Sequence, residues 1–354
     1  MTAAFPRTIR QWSISGTSGL DSLNFSEVPL PEYGETQVLV KIHAVSLNYR
    51  DSMITQGAYP FAVLPDLIPG SDAAGVVVAV GKRVTHFKPG DKIVTVFNHE
   101  HLDGPHVPIG GISFGSAVHG ALREYCPIDE LSVLPIPQGL GFIEAASLPC
   151  AALTAWNSLY GLPDKALKPG QWVLTQGTGG VSIFALQFAK AAGARVIATT
   201  GSPNKVEFLK KLGANHVLNY RDTPEWGSKA RELSGTGVDY VVEVAGGESM
   251  YQSLLSIRRQ GVISIVGFLS GMSGDGPTHL GNLIYSCITR GVTVGSKAEM
   301  EDMIRAIEGN LGGLRPVIDE NIFEFEDAKA AFAYLASGKH LGKICIRVAK
   351  PLSY

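Results

Sequence analysis

The residues with the clearest chemical potential form a glycine-rich turn near the middle of the chain. Gly177, Gly179 and Gly180 follow an apolar stretch predicted to be a strand, and a predicted helix starts at Val181. Small residues let the backbone approach a pyrophosphate, and a helix N-terminus offers N–H groups and partial positive charge. The last position of the G-x-G-x-x-G pattern is Ser182, which is still small enough for close packing. The turn predicts a dinucleotide site, with a purely structural turn as the alternative.

The end of the next predicted strand, residues 195–199, indicates which dinucleotide binds. An NAD site needs an acidic side chain there to accept hydrogen bonds from the ribose hydroxyls. The chain instead offers the hydroxyls of Thr200 and Ser202 and the amine of Lys205, with no Asp or Glu. These groups suit a 2′-phosphate, which a carboxylate would repel. We therefore expect NADP(H), although Lys205 taken alone is equally consistent with a solvated helix residue.

Composition and charge exclude several classes of protein. The 354 residues suffice for two domains, and 45% hydrophobic with 18% charged residues is typical of a globular chain. A net charge of −2 gives no reason to expect a nucleic acid or a membrane as partner. The four cysteines form no C-x-x-C pair, which fits a reducing compartment. Because residues 1–12 lack the apolar run of a secretory signal, we expect a cytoplasmic protein.

The elements that must position these residues have two styles. Short β-rich runs separated by Gly and Pro turns predict a compact antiparallel or barrel-like domain in the first third. From about residue 144, strands alternate with helices, which predicts a parallel sheet covered on both faces. The predicted strands are 38–44, 73–80, 92–97, 172–175, 195–199, 216–219, 240–244, 262–266 and 343–348. The predicted helices are 144–160, 181–192, 204–212 and 325–337.

Several motifs together resemble the medium-chain dehydrogenase/reductase superfamily, specifically its zinc-independent quinone-oxidoreductase-like and enoyl-reductase-like branch. They are LNYRD at 47–51, PGSDAAG at 69–75, ASLP at 146–149, LTAW at 153–156, GTGGV at 177–181 and GK at 342–343. The resemblance implies an α/β protein in which a GroES-like β-rich catalytic domain, residues 1–143 and 301–354, surrounds a Rossmann NADP-binding domain, residues 144–300. It also implies a homodimer formed through the Rossmann domains and a small-molecule substrate in the cleft between the domains.

The resemblance also bears on metal binding. Zinc-dependent members hold the catalytic metal with two cysteines and a histidine, and here Asn48 and Ser71 stand at two of those positions. Only Cys150 matches the third, whereas a catalytic zinc needs about three protein ligands. We therefore expect no metal, and we expect Cys150 to be a small buried residue. The loop 98–119 replaces the four-cysteine structural lobe of zinc-dependent members. Its histidines are expected to be solvated, and they are His99, His101 and His106.

A metal-free site must stabilise negative charge by hydrogen bonds or protonation. This favours reduction of a quinone or an α,β-unsaturated carbonyl over oxidation of a simple alcohol. Tyr59 matches the tyrosine proposed as proton donor in the family's enoyl-thioester reductases, and a phenol stays protonated at neutral pH. Asn48 matches a position beside the nicotinamide, where an amide orients the ring or the substrate oxygen. Two alternatives stay open, because Tyr59 is also suited to lining the cleft and Asn48 to capping a turn.

The resemblance implies further cofactor contacts. Thr154 would lie near the nicotinamide, and Tyr220 near the adenosine phosphate. The full predicted set is Thr154, Gly177, Thr178, Gly179, Gly180, Val181, Thr200, Ser202, Lys205, Tyr220, Gly246, Gly267, Phe268, Gly342 and Lys343. The sequence thus predicts a zinc-independent, NADPH-dependent reductase of quinones or activated alkenes. The alternatives are a biosynthetic enoyl reductase with Tyr59 as proton donor and a non-catalytic NADPH-binding protein.

Overall fold

The computed structural model describes residues 5–105, 113–271 and 280–349, and it divides into two compact units. The first unit comprises the described residues of Met1–Cys150, Ser296–Gly309 and Arg315–Tyr354. The second unit comprises those of Ala151–Gly295 and Asn310–Leu314. Among the described residues, none of the helices combines the length and the apolar character needed to cross a membrane.

The strands supply the frame of both units. In chain order they are β1 (Thr8–Ile14), β2 (Leu23–Pro29), β3 (Gln37–Ser46), β4 (Asp72–Val80), β5 (Lys92–Thr95), β6 (Tyr125–Asp129), β7 (Val133–Pro135), β8 (Trp172–Gln176), β9 (Arg195–Thr200), β10 (His216–Asn219), β11 (Val238–Glu243), β12 (Ile257–Ile265), β13 (Ile288–Gly291), β14 (Ile318–Glu324) and β15 (Lys343–Arg347).

The helices connect these strands. In chain order they are α1 (Tyr49–Thr55), α2 (Phe142–Ala145), α3 (Leu153–Tyr160), α4 (Gly180–Ala191), α5 (Val206–Leu212), α6 (Trp226–Ser234), α7 (Ser249–Ser256), α8 (Leu280–Tyr285), α9 (Lys297–Gly309), α10 (Leu311–Leu314) and α11 (Ala328–Ala336). Short 3-10 turns occur at Gly19–Ser22, Glu130–Ser132, Pro163–Lys165, Pro203–Lys205 and Phe325–Asp327, and a π-turn occurs at Leu148–Ala152.

The first unit is built on a mixed sheet of order β14-β15-β3-β4-β5-β7, with β6 also paired to β3. Its pairs are antiparallel except for β14 and β15, which run parallel. Strand β3 lies at the centre, and its apolar side chains between Val38 and Val45 are fully buried because both of its faces are covered. Strands β1 and β2 form a separate hairpin. The predicted closing of this domain by the C-terminal strand is confirmed by the pairing of β15 with β3.

The second unit has an all-parallel sheet of order β10-β9-β8-β11-β12-β13. Numbered within the unit, this is the Rossmann order 3-2-1-4-5-6. Every residue of β8 is buried, as expected for a strand covered on both faces. The predicted fold class, a Rossmann sheet with a second β-rich domain, is confirmed.

The single predicted helix 144–160 is wrong. Helix α2 ends at Ala145, the π-turn Leu148–Ala152 follows, and α3 begins at Leu153. The cause is Pro149, which lacks the N–H group that would continue the hydrogen-bond ladder of an α-helix. This irregular segment ends the first unit at Cys150.

Candidate functional site

The glycine-rich turn joins β8 to α4 in the second unit. Gly177 has φ +78°, a conformation that favours glycine, and its N–H donates to the carbonyl oxygen of Thr199 at 2.8 Å. The hydroxyl of Ser182 donates to the carbonyl oxygen of Gln176 at 2.6 Å. Serine at the last motif position therefore ties the first turn of α4 to the end of β8, which explains why it replaces glycine without cost to the turn.

Gly179 provides a test of whether this turn fits a dinucleotide. Its φ of −74° is available to any residue, and a Cβ added there meets no atom of the described residues within 4 Å. Neither backbone strain nor packing within the protein therefore requires a glycine at this position. The N-terminus of α4 begins at the next residue and has N–H groups without intrahelical acceptors. The turn fits a diphosphate, because only a group from outside the chain benefits from the missing side chain.

The end of β9 lies beside this turn and has no acidic side chain. Thr200 is buried, and its Oγ1 accepts from the N–H of Ser202 at 3.2 Å. The backbone N–H of Tyr220 donates to the carbonyl oxygen of Thr200 at 3.1 Å. A Cβ on Gly201 would lie 2.3 Å from the Tyr220 hydroxyl oxygen, so the phenol covers the glycine. Lys205 ends the short 3-10 turn and is half-buried.

A buried carboxylate that sequence reasoning missed lies at the end of β11. Glu243 is fully buried and accepts hydrogen bonds from the N–H groups of Ala245 and Gly246 at 2.9 Å each. It also accepts from the Nε2 of Gln176 at 2.7 Å and from the hydroxyls of Ser249 and Ser253. The carboxylate thus fixes the loop after β11 to the end of β8. The sequence signal that could have identified it is a glutamate at the end of an otherwise mostly apolar strand.

Other predicted cofactor residues of the second unit lie close to this loop. Gly246 has φ +71°, and a Cβ there would lie 3.1 Å from the Cα of Phe268. A Cβ on Gly267 would lie 2.8 Å from the carbonyl oxygen of Val244. Thr154 is buried in α3. The structure thus brings Gly246, Gly267 and Phe268 together at the carboxyl edge of β11 and β12, where parallel sheets bind ligands.

In the first unit, Asn48 lies in a buried polar cluster with Lys343. The ammonium of Lys343 donates to the side-chain oxygen of Asn48 at 2.5 Å and to the carbonyl oxygen of Leu47 at 2.7 Å. Its Nζ is also 3.7 Å from a carboxylate oxygen of Asp72. The Nδ2 of Asn48 faces the hydroxyl of Ser71 at 3.4 Å. Because Lys343 holds the amide oxygen, the amide presents its N–H groups as donors.

Tyr59 follows α1, whose end fixes its position. The N–H of Gly57 donates to the carbonyl of Ile54 at 3.1 Å, and that of Ala58 to the carbonyl of Met53 at 2.9 Å. These are the two hydrogen bonds of a Schellman motif, with φ +67° at Gly57. Burial raises the pKa of Tyr59 above its ordinary value of 10.0. The phenol therefore remains protonated at neutral pH.

Asp51 and Cys150 have side chains whose ionisation is opposed by burial. The carboxylate of Asp51 is fully buried and accepts from the N–H of Asn48 at 2.8 Å, and burial raises its pKa to about 6. Cys150 is only partly exposed, and burial raises the pKa of its thiol to about 12. The thiol is therefore neutral at physiological pH and is a poor nucleophile in that state.

The expectation of solvated loop histidines is wrong where the structure describes them. The ring of His99 stacks on Phe114 at 4.6 Å, and burial lowers its pKa to about 4. His101 is 9% exposed, and its Nε2 lies 2.7 Å from the carbonyl oxygen of Gly104. His106 lies outside the described residues. In the described part of the loop, both histidine rings therefore contact the protein and are largely shielded from solvent.

Comparison with known families and proteins now identifies the chain. The family model for the alcohol dehydrogenase GroES-like domain matches residues 34–138, and that for zinc-binding dehydrogenase matches 180–309. A zinc-type alcohol dehydrogenase-like protein of Schizosaccharomyces pombe is 40% identical over 94% of this chain and 96% of its own length. The chain belongs to the medium-chain dehydrogenase/reductase superfamily. The predicted family and the GroES-like domain are thereby confirmed.

Other relatives of this medium-chain dehydrogenase/reductase include named reductases. The 2-methylene-furan-3-one reductase of Solanum lycopersicum is 31% identical over 97% of this chain and 80% of its own length. A chloroplast envelope quinone oxidoreductase homolog of Arabidopsis thaliana is 40% identical over 66% of this chain and 65% of its own length. The crystal structure of a putative alcohol dehydrogenase from Sinorhizobium meliloti superposes with a TM-score of 0.89 at 37% identity, covering 98% of this chain and 100% of that one.

One of the matching family models is named for zinc binding, so the residues at the expected zinc positions are of interest. Among residues 5–105, 113–271 and 280–349, no group of three or more His, Cys, Asp or Glu side chains is arranged to hold a metal ion. The positions that the resemblance assigns to two zinc ligands hold Asn48 and Ser71. The amide of Asn48 is instead bound to the ammonium of Lys343.

Proposed function

We propose that this protein is a zinc-independent, NADPH-dependent reductase of quinones or α,β-unsaturated carbonyl compounds. The names of two relatives support the substrate class, since one is a 2-methylene-furan-3-one reductase and the other a quinone oxidoreductase homolog. The proposal includes the predicted domains, a catalytic domain of residues 1–143 and 301–354 and a nucleotide-binding domain of residues 144–300.

The observation that carries the proposal is the hydrogen bond from Lys343 to Asn48. It puts a buried positive charge 2.5 Å from the amide oxygen at a position where zinc-dependent relatives have a ligand. The ammonium already donates to the amide oxygen, the atom of Asn48 that would bind a metal ion, and the buried carboxylate of Asp72 balances its charge. The Nδ2 of Asn48 donates one N–H to Ser71, and its second N–H is left as a donor for a substrate carbonyl oxygen. Hydrogen bonds of this kind stabilise the negative charge that develops during reduction.

The chain's own residues have distinct parts in this chemistry. A bound reduced nicotinamide dinucleotide supplies a hydride. Asn48 binds and orients the acceptor oxygen, and Tyr59, whose phenol is protonated at neutral pH, provides the proton. Gly342 and Lys343 belong to the proposed cofactor contacts, although the Nζ of Lys343 is already bonded to Leu47 and Asn48.

The preference for NADPH rests on the end of β9. Thr200, Ser202 and Lys205 offer hydroxyls and a cation for a 2′-phosphate, and the strand end has no carboxylate to repel it. The pyrophosphate would lie on the turn from Gly177 to Val181. Thr154, Tyr220, Gly246, Gly267 and Phe268 complete the proposed nucleotide site.

We also propose a homodimer formed through the second unit. Strand β13 is the edge of the parallel sheet, and α8 exposes Leu280, Leu283 and Ile284 at 65%, 75% and 72%. Unpaired strand edges and clustered exposed apolar side chains mark surfaces that associate. A second copy of the chain would cover both.

The main experiment measures reduction of benzoquinone, cyclohexenone and hexenal with NADPH and with NADH, followed at the nicotinamide absorbance. We expect turnover with NADPH that is at least tenfold more efficient than with NADH. A protein that binds NADPH tightly but turns over no substrate of the panel would instead be a binding protein. Metal analysis of the active enzyme is the second test, and one zinc per chain that is required for activity would refute zinc independence.

A further inference from the structure

Arg50 is a buried cation whose hydrogen-bonding capacity is mostly unused. Its side chain is 8% exposed, and one terminal nitrogen donates to the carbonyl oxygen of Phe114. The Nε and the other terminal nitrogen have no hydrogen-bond partner among the described residues. Buried donors are normally satisfied, so a guanidinium in this state needs an explanation.

Two aromatic rings hold the guanidinium in place. Its central carbon lies 4.3 Å from the ring centroid of Phe97 and 5.7 Å from that of Tyr59. The Tyr59 ring packs edge-on against Phe61, with the centroids 5.3 Å apart. A guanidinium is attracted to aromatic rings and stays charged at every physiological pH. Tyr59 therefore has a permanent cation beside it.

The carboxylate nearest to Arg50 forms an ion pair with it but no hydrogen bond. Asp51 is its ion-pair partner, but the distance from Nε to Oδ1 is 3.9 Å, too long for a hydrogen bond. The titratable and charged groups that act on the phenol of Tyr59 are Arg50, Asp51 and Cys150. Burial raises the pKa of Tyr59 most strongly, Arg50 lowers it through its charge and its side-chain interaction with the phenol, and Cys150 and Asp51 raise it. A phenolate at Tyr59 would supply the charge that Arg50 lacks.

We propose that Arg50 is the positioning residue of Tyr59: it holds the phenol ring and stabilises the phenolate left when Tyr59 gives its proton to the substrate. The proposal rests on the proposed reductase function. When a hydride adds to the β-carbon of an α,β-unsaturated carbonyl, the alkene electron pair moves onto the carbonyl oxygen and an enolate forms. The O–H bond of Tyr59 then breaks, the proton joins the α-carbon, and the phenolate remains beside Arg50. Water restores the phenol, so each turnover consumes one hydride and one proton.

The test compares R50M, R50K and Y59F in the full-length enzyme, with R123M as a matched control. Arg123 is another arginine of the first unit, 8% exposed, and it donates to the sulfur of Cys126 at 3.1 Å. One readout is kcat for cyclohexenone at saturating NADPH. The other is ionisation of Tyr59 itself, followed by NMR of isotope-labelled tyrosine Cζ. Y59F identifies the resonance among those of the eleven tyrosines.

We expect R50M to raise the pKa of Tyr59 and to lower kcat by roughly tenfold or more, because an adjacent opposite charge changes an ionisation constant by at least about that factor. R50K restores most of both values, and R123M leaves both unchanged. The double variant R50M/Y59F is no slower than Y59F, since both changes remove the same step. If R50M fails to fold, R50Q removes the same charge with a polar side chain and gives the same comparison.

Two outcomes would overturn the proposal, and they are distinguishable. A slow Y59F beside an R50M with wild-type kcat and an unchanged pKa of Tyr59 removes the role of Arg50 and leaves the proposed reductase intact. A Y59F that reduces cyclohexenone at the wild-type rate removes the proton donor from the proposed function, and the role of Arg50 is lost with it.

Discussion

The side-chain amide of Gln176 donates a 2.7 Å hydrogen bond to the carboxylate of Glu243, and this contact joins the last residues of the neighbouring parallel strands β8 and β11. Both carboxylate oxygens of Glu243 accept hydrogen bonds. In the Gln variant one of them becomes an NH2 group, which donates and therefore cannot accept from the same neighbours. We expect E243Q to lower the free energy of unfolding by about 2 kcal/mol. We also expect NADPH binding to weaken about tenfold, because the loop after β11 loses its anchor.

Urea unfolding and calorimetric titration with NADPH measure these two effects. The matched control is E248Q, which makes the same change at an exposed position of the same loop. Equal behaviour of the two variants would contradict a role for Glu243 in holding the loop.

Gly179 gives a sharper test of the nucleotide site. Because a Cβ there meets no atom within 4 Å in the part of the chain that the structure describes, G179A should fold with a stability within about 0.5 kcal/mol of the wild type. The added methyl group nevertheless occupies the space into which a diphosphate would come. We expect calorimetry to show an NADPH affinity at least tenfold lower. The control is G312A, since a Cβ on Gly312 also meets none of the described atoms within 4 Å. Unchanged NADPH binding by G179A would contradict the prediction that the diphosphate lies against Gly179.

The sequence predicts several buried strands closely for a physical reason. Buried parallel strands are continuous apolar runs, so β8 to β10 were predicted almost at their observed limits, and β10 is His216–Asn219 as expected. The irregular segment around Pro149 was predicted as a continuous helix. Its residue pattern is helical, but the missing N–H group of Pro149 interrupts the hydrogen bonds of the helix. Loop composition gave a wrong prediction for His101. This residue is buried because Gly104 and the first turn of α9 contact it, and no local sequence pattern reveals those contacts.

The candidate site shows the same division. Motif positions identified Asn48, Tyr59 and Lys343 as residues of interest, but not what they contact. Lys343 reaches Asn48 across 295 residues of sequence, and a contact of that range depends on the pairing of β15 with β3. Arg50 belongs to the LNYRD motif at 47–51, but the sequence does not show that its guanidinium contacts the rings of Phe97 and Tyr59.

The buried pair of Lys343 and Asp72 should be costly to break from one side. Lys343 is 4% exposed and Asp72 is not exposed, so K343M leaves a carboxylate buried without its cation. We expect K343M to destabilise the protein by about 3–5 kcal/mol, and D72N/K343M to recover part of that loss. Urea unfolding of the full double-mutant cycle measures the coupling. The same cycle on the exposed pair Lys88 and Asp91 should give at most about 1 kcal/mol. Equal coupling energies in the two pairs would contradict the prediction that burial makes the pair of Lys343 and Asp72 costly to break.

The apolar surface of α8 predicts the oligomeric state. Leu283 is 75% exposed in the single chain, and we expect it to be buried in a homodimer. L283E should convert the dimer to a monomer in light scattering, because a carboxylate in an apolar interface loses its hydration. The control is L131E, since Leu131 is 44% exposed in the first unit. A wild-type protein that is monomeric at micromolar concentration would contradict the prediction.

Asp51 predicts a dependence of stability on pH whose sign is opposite to that of most carboxylates. Its pKa is raised by burial from 3.8 to about 6, so the folded state holds a proton that the unfolded state releases. Stability from this group is therefore present below pH 3.8 and is lost as the pH rises toward and through 6. One pKa step equals about 1.36 kcal/mol, so the loss is up to about 3 kcal/mol. Urea unfolding of wild type and D51N at several pH values measures it.

The informative quantity is the difference in unfolding free energy between wild type and D51N. As the pH rises from 4 to 7, the wild type should lose stability relative to D51N, because the amide of the variant does not titrate. Above pH 7 the difference should become constant. D164N changes an exposed carboxyl and serves as the control, with a difference that stays small over this range. A difference for D51N that moves in the opposite direction would mean that Arg50 and the N–H of Asn48 outweigh burial at this carboxylate.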